Sequence, residues 1–393
     1  MKLRRSSVDF ELMIATLVLV VYGLIMVFSE SYYKAQASSL YDYDGLYFFK
    51  RQAFGAVLGL AVMIIMMFID YHILIRLKYV ILITAMILLL IVFIPGVGVN
   101  LNGSSRWIKL GPLPAFQPAE IAKLAMIVFT AATINVNRYR MGQFRYAMVP
   151  NLLILILMCL LLFFQPNYSS VIMLCLLVFI MMYVGGAKGS HLALLGAVGG
   201  TAGFFMLITE NYRRGRIVTF TNPWAYAQEG GWQVIQSLYG IGAGGVTGRG
   251  LGNSRQKYLW LPYGESDFIF SITVEEMGLV GAIILVALFL FIIWRGIRIA
   301  AKAPEMFGTL LAAGITSLIG IQAIMNIAVT TASMPVTGVP MPFFSYGSSS
   351  LVIFMAMIGI MLNISRQAQP IRISTSTKKK DQVKDAEPAA VKS

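Results

Sequence analysis

Apolar residues in this chain come in long blocks separated by polar breaks, without the strict alternation of half-buried strands. The blocks fall at 11–30, 52–70, 79–95, 119–134, 147–164, 169–184, 190–209, 269–294, 307–330 and 349–365. Each approaches the ~20 apolar residues that carry a helix across ~30 Å of hydrocarbon. The pattern predicts an all-α fold, a polytopic membrane helical bundle of ten transmembrane helices. Polar sequence gathers in four longer intervals, 31–51, 96–118, 211–268 and 331–348. Counting spans places all four on one face, the largest between helices 7 and 8, and function is expected on that face.

Composition agrees, since 58% of the 393 residues are hydrophobic, only 12% are charged, and the mean hydropathy is +0.76. Lysine and arginine then set the orientation, because cytoplasmic loops hold an excess of them. Lys2, Arg4 and Arg5, the Arg76–Lys78 turn, Arg138 to Arg145, Arg295 to Lys302 and the C-terminal segment all fit a cytoplasmic N-terminus. Both termini are therefore expected inside, and the four long intervals outside. The net charge of +14 owes much to residues 367–393, rich in Ser, Thr, Lys and Ala, which read as a disordered basic tail after a membrane domain at 1–366. The first apolar block is a full span without a small-residue cleavage pattern, so no cleavable signal peptide is expected.

Several chemistries drop out. Cys159 and Cys175 lie inside spans, which excludes a disulfide framework and a CxxC metal site. His72 and His191 both fall on the inner side, which excludes a histidine zinc centre or a Ser–His triad on the outer face. The chain shows no internal repeat and no pair of interrupted helices of the inverted-repeat kind, which weakens a carrier reading without removing it.

The candidates that remain are charges where the membrane makes charge costly. In FQPAEIAKLA, Pro118 suits a first helical turn, and Glu120 and Lys123 then share a helix face. Structurally, the same pair reads as Glu120 at a helix N-terminus and a snorkelling Lys123. Upstream, Arg106 and Lys109 flank Trp107 in a glycine- and proline-rich loop suited to gripping phosphate, although interfacial tryptophan is ordinary. Arg213, Arg214 and Arg216 cluster after span 7, where guanidinium groups bind phosphate oxygens or lipid headgroups. Outer-face acids are few, and Asp267 alone stands directly before span 8. It is either a helix N-cap with a lowered pKa or a partly desolvated general base with a raised one. Gly240, Gly242 and Gly245 match GxGxxG only formally, without the strand that signature needs. Gln322 and Asn326 share a face of span 9 and read as interhelical hydrogen-bonders or ligand contacts, ahead of Pro335, Pro340 and Pro342, which forbid regular helix.

The motifs NGSSRWIKLG, FQPAEIAKLA, YRRGRI with NPW, QSLYGIGAGGVTGRGLGNSRQKYLWLP, SDFIF with EEMGLVG, and PVTGVPMPFFSYGSSS occur in this order over residues 8 to 366. Together they resemble the SEDS family (shape, elongation, division and sporulation), the peptidoglycan polymerases that include FtsW and RodA. IPGVG and WRGIRIA are most similar to its division and sporulation branch. The resemblance implies an extracytoplasmic glycosyl transfer on lipid II, with inversion and release of undecaprenyl diphosphate. It implies Asp267 as the essential acid and general base, and Glu120 with Lys123 as a cavity-lining pair. Beside these, Arg106, Lys109, Arg213, Arg214, Arg216, Lys257, Ser345 and Ser349 are candidate substrate contacts. Implied partners are a class B penicillin-binding protein transpeptidase, divisome or sporulation proteins and membrane lipids, with no nucleic acid. A divalent cation, Mg or Mn, is left open. Three departures stand out: Asn167 where the family's QPDLG has an acid, Ser348 for a glycine, and PYGESDF for a motif that opens PE. A lipid II flippase and a non-catalytic scaffold that recruits the transpeptidase are the rival readings.

Overall fold

A computed structural model describes residues 8–101, 104–109, 115–209 and 211–368. The tail expected at 367–393 lies almost wholly outside the described residues. The helices in chain order are α1 (Phe10–Gln36), α2 (Tyr47–Phe68), α3 (Ile73–Ile91), α4 (Pro118–Val136), α5 (Phe144–Ala147), α6 (Val149–Phe164), α7 (Tyr168–Val184), α8 (Gly189–Thr209), α9 (Asn211–Thr221), α10 (Gly231–Gly244), α11 (Ile269–Lys302), α12 (Met306–Thr330) and α13 (Ser348–Gln367). Each apolar block coincides with a helix. Seven of them, α1 to α4 and α11 to α13, are long and apolar enough to cross a membrane among the described residues. Two other apolar helices are shorter, α6 with 16 residues and α7 with 17.

Two elements depart from a purely helical plan. The interval before α4 holds an antiparallel pair, β1 (Gly98–Leu101) and β2 (Ser104–Ile108), with Ile108 also bridging Phe116. This ties the loop carrying Arg106 to the start of α4. The interval 211–268 is likewise structured, by α9 and α10.

Burial sorts the helices into a centre and a rim. Within the most apolar window, 78% of α4 and 72% each of α12 and α13 are buried, against 22% of α3 and 28% of α2. The outer faces of the rim helices carry Ile, Leu, Val and Phe, as expected where hydrocarbon is the solvent. Close packing of α13 on α2 uses small residues, since a methyl group at Gly55 would meet the backbone of Ser348 at 2.9 Å.

Helix α11 is broken at Gly278, whose φ of 66° and ψ of −165° lie outside helical space. Its interrupted backbone is paired elsewhere: the amides of Leu279 and Val280 donate to the carbonyls of Gly245 (3.0 Å) and Val246 (3.2 Å) after α10. A methyl at Gly278 would collide with the backbone of Gly248 and Val246, so only glycine fits. The apolar run EEMGLVGAII gives no hint of this break, because Gly278 reads there as an ordinary membrane glycine.

The proline-rich stretch between α12 and α13 enters the bundle as irregular chain. Val339, Met341, Phe343, Phe344 and Ser345 are buried, and Gly23 of α1 lies so close that a Cβ there would meet the Phe344 backbone at 2.8 Å. Gln52 of α2 holds it from one side, with Nε2 donating to the Ser345 carbonyl at 3.1 Å and Oε1 accepting from the Gly347 amide at 3.0 Å. Non-helical backbone is tolerated at this depth because protein supplies its hydrogen bonds.

Candidate functional site

The chain segment that carries Asp267 is held at three successive carbonyls. Glu265 O accepts from the Tyr346 amide at 2.8 Å, Ser266 O from Ser345 Oγ at 2.6 Å, and Asp267 O from Asn326 Nδ2 at 3.0 Å. Asn326 also donates to Val339 O at 2.9 Å, and Ser345 Oγ accepts from the Met341 amide at 2.8 Å. The proline-rich loop and α12 therefore fix the backbone around Asp267, while its side chain meets the neighbouring Ser266.

That side chain does not cap α11. Phe268 occupies the N-cap position, and no side-chain hydrogen bond closes the helix start. The capping alternative is thereby removed. Asp267 is half-buried, and desolvation with the nearby Glu265 carboxylate raises its pKa from 3.8 to about 6, against the lowering effects of Ser266, Arg106 and Arg216. A methyl group on Gly338 would lie 3.5 Å from Asp267 Oδ2; this glycine has a φ of +69° and also lines the adjoining cleft.

The cleft, a narrow space of about 20 Å³, is lined by Arg106, Gln117, Glu120, Lys123, Asn167, Ser169, Ser170, Met173, Gln322 and residues 338–340. On its floor Lys123 Nζ and Glu120 Oε1 pair at 2.6 Å, each side chain 2% exposed. Pro118 starts α4 at this depth and sets the pair one turn apart. Arg106 on β2 donates to the Pro166 carbonyl, and Arg216 on α9 donates to Val336 O at 2.6 Å, so both cations brace the segments around the cleft. Several buried polar atoms here have no hydrogen-bond partner in the protein: Glu120 Oε2, both side-chain polar atoms of Gln322, Asn167 Nδ2 and Thr337 Oγ1. Native interiors seldom leave such groups unmet unless something polar visits them.

The other anticipated contacts are placed differently. Lys109 is exposed, and Ser349 is half-buried on the first turn of α13. Ser345 holds the carbonyl of Ser266, the residue before Asp267. Arg213 and Arg214 lie on α9, but their side chains fall outside the described residues. Lys257 is not brought to the cleft. Its Nζ bonds to the Gly252 carbonyl and pairs with Glu276 at 3.4 Å. Glu275 and Glu276 in turn accept from the amides of Ser254, Arg255 and Gln256 and from Ser29 Oγ (2.6 Å), so this acid pair holds the loop after α10. Among the described residues no three His, Cys, Asp or Glu gather as around a metal ion; the cleft's acid, Glu120, is engaged with Lys123.

Gln322 and Asn326 share one helix face, and the sequence does not tell them apart. Only Asn326 bonds across the bundle, and Gln322 projects into the cleft unpartnered.

A family model described as a cell cycle protein, for FtsW, RodA and SpoVE, matches residues 10–370. The chain belongs to this family. It is the SEDS family anticipated from the motifs. The chain is 40% identical over 370 residues to stage V sporulation protein E of Bacillus subtilis, covering 94% of this chain and 100% of that protein. It is 38% identical to a probable peptidoglycan glycosyltransferase FtsW of Geobacter sulfurreducens, over 91% of this chain and 95% of the relative. The crystal structure of Thermus thermophilus RodA superposes with a TM-score of 0.68 at 25% identity, covering 93% of this chain and 98% of RodA. A chain of a peptidoglycan synthase complex that coordinates polymerization and crosslinking superposes at 0.75 with 28% identity, over 91% and 98% of the two chains. In this SEDS protein Asn167 stands where the motif comparison expects an acid. It caps α7 by accepting from the Ser170 amide at 3.4 Å, and turns its unpaired amide nitrogen towards the cleft.

Proposed function

We propose that this SEDS protein is a peptidoglycan glycosyltransferase of division or sporulation that polymerises lipid II at the outer face of the cytoplasmic membrane. In that topology ten helices span the bilayer, both termini are cytoplasmic, and the 211–268 interval is the large extracytoplasmic loop. One observation carries the reading. Asp267 is a carboxyl poised near neutrality, held by its backbone, facing Arg106 and Arg216 and beside a cleft floored by Lys123 and Glu120.

The reaction needs a base for a sugar hydroxyl and positive charge for a departing diphosphate. Asp267 accepts the proton of the acceptor GlcNAc 4-hydroxyl as that oxygen bonds to C1 of the donor MurNAc. The bond from C1 to the diphosphate oxygen breaks on the opposite face, giving inversion and undecaprenyl diphosphate. Arg106 and Lys123 neutralise the charge that develops on the leaving group, with Glu120 orienting Lys123. Lys109 and the arginines of α9 attract the anionic headgroup at the entrance. A class B penicillin-binding protein transpeptidase is the partner that cross-links the product.

The test is polymerisation of lipid II by the purified protein with its transpeptidase. Asp267→Asn should abolish glycan chains while preserving folding; chains made at the normal rate would refute the assignment. In liposomes, movement of labelled lipid II without polymer would indicate a flippase instead. Growth supported by Asp267→Asn would indicate a scaffold.

A further inference from the structure

Behind Asp267 the described residues hold a second group of buried charges that the proposed reaction does not use. Lys34, near the end of α1, pairs with Glu265 at 2.6 Å, with 23% and 8% of the two side chains exposed. Glu30, one helical turn before Lys34, packs its carboxylate against Gly264 so closely that a Cβ there would collide with it. Glu30 Oε2 and Glu265 Oε2 are both buried without a hydrogen-bond partner. Glu265 is two residues from Asp267, and its backbone carbonyl is locked by the Tyr346 amide. Its carboxylate is held separately, by the Lys34 ammonium. The PYGESDF motif lacks the acid after Pro262 that the family pattern carries there, and Glu265 lies two positions later.

We propose that Glu265, held by Lys34, is a positioning residue for glycosyl transfer: the pair fixes the sign of the charge presented to Asp267 and so sets the pH range in which Asp267 accepts a proton. The inference rests on the reading of Asp267 as the base. From the packed elements, Asp267 meets Glu265 on its own segment, Arg106 from β2 and Arg216 from α9, while α12 offers only the neutral Asn326. Glu265 is met by Lys34 and Glu30 from α1, by Tyr41, and by Tyr346 before α13. Glu276 and Lys257 lie beyond Glu30. Arg106 and Arg216 favour the ionised form of Asp267, and Glu265 opposes them. Lys34 pairs with Glu265 without cancelling its influence, since Glu265 still opposes the two arginines at Asp267.

The deciding measurement is the pH profile of lipid II polymerisation by the full chain with its transpeptidase. Glu265→Gln removes the opposing charge, so the acid limb of the profile should move to lower pH, and each unit of displacement raises the rate on that limb tenfold. The exchanged pair, Lys34→Glu with Glu265→Lys, keeps an ion pair but presents a cation to Asp267; it should move the limb further in the same direction. An exchanged pair with the wild-type profile would overturn the proposal, because it would make the contact a staple and nothing more. An unmoved limb in Glu265→Gln would do the same. If thermal unfolding shows that Glu265→Gln does not fold, the exchanged pair decides, and Lys34→Met with Glu265→Gln, which leaves neither charge unpaired, decides if the exchange also fails. Asp267→Asn is assayed alongside. Its retention of activity would sink the reading of the base, whereas an inactive Asp267→Asn with unmoved limbs would sink this inference alone.

Discussion

Asn326 Nδ2 donates to the backbone carbonyl of Asp267 at 3.0 Å, joining the proposed base to a helix 59 positions later in the chain. The same nitrogen holds Val339 O at 2.9 Å, so one amide group ties Asp267 to the proline-rich loop that lines the cleft. Asn326→Leu leaves two carbonyls without that donor, at a cost of about 2–3 kcal/mol. The expected result is a lower unfolding temperature and a fall in kcat of about tenfold or more, since misplacing a catalytic group is expensive. Thermal unfolding and steady-state polymerisation measure the two effects, and a normal kcat in a destabilised protein would restrict Asn326 to stability.

Asp267 has a stability consequence opposite to that of most carboxylates. Its folded pKa of about 6 exceeds the ordinary 3.8, so the folded chain binds the extra proton between these values and stability falls as pH rises through them. The penalty is absent below about 3.8 and complete above about 6. Asp267→Asn should therefore be inactive yet more stable at pH 7.5, by about 1–2 kcal/mol after allowance for solvent screening. Wild-type polymerisation should rise with pH through about 6 as the base ionises. A variant less stable than wild type at pH 7.5 would contradict the burial cost assigned to this side chain.

The Glu120 and Lys123 side chains, 2.6 Å apart and each 2% exposed, form a pair in which neither charge tolerates loss of the other. Glu120→Gln or Lys123→Met alone should cost about 3–5 kcal/mol. Changing both together should restore most of the stability while leaving polymerisation lost, because the lysine is needed at the leaving group. Comparing unfolding temperatures across the two single variants and the double variant checks this, and an active double variant would remove Lys123 from the reaction.

Gln322 gives the reverse pattern. Its amide has no partner in the protein although the residue is fully buried, so Gln322→Leu costs no internal hydrogen bond. Stability should hold or rise, while KM for lipid II rises several-fold. An unchanged KM would show that this amide does not meet substrate.

At Gly278 the prediction is structural. A methyl group there would strike backbone atoms of Gly248 and Val246 and demand a left-handed conformation, so Gly278→Ala should destabilise the fold by about 3 kcal/mol or more. Detergent-solubilised yield and unfolding temperature are the readouts, and an unchanged unfolding temperature would mean the break in α11 relaxes at little cost.

Much of the fold was legible in the sequence because membrane helices satisfy their own backbone hydrogen bonds, so hydropathy alone locates them. Each apolar block from 11–30 to 349–365 coincides with a helix, and Pro118 set the depth at which Glu120 and Lys123 meet. Family motifs, read in order, point to the SEDS proteins without any tertiary contact. What only the tertiary structure decided are relationships between distant segments. Asp267 as a cap or a free carboxyl depended on where the proline-rich loop and Asn326 came to rest. Lys257 as a ligand contact or an internal partner depended on Glu276, and Gln322 could be told from Asn326 only by what faced each of them. The break in α11 was silent because its missing hydrogen bonds are supplied by residues 245 and 246, more than thirty positions earlier. Sequence determines which segments enter the membrane because that is a transfer property of each segment alone; packing decides which polar groups are satisfied, because a hydrogen bond belongs to two residues at once.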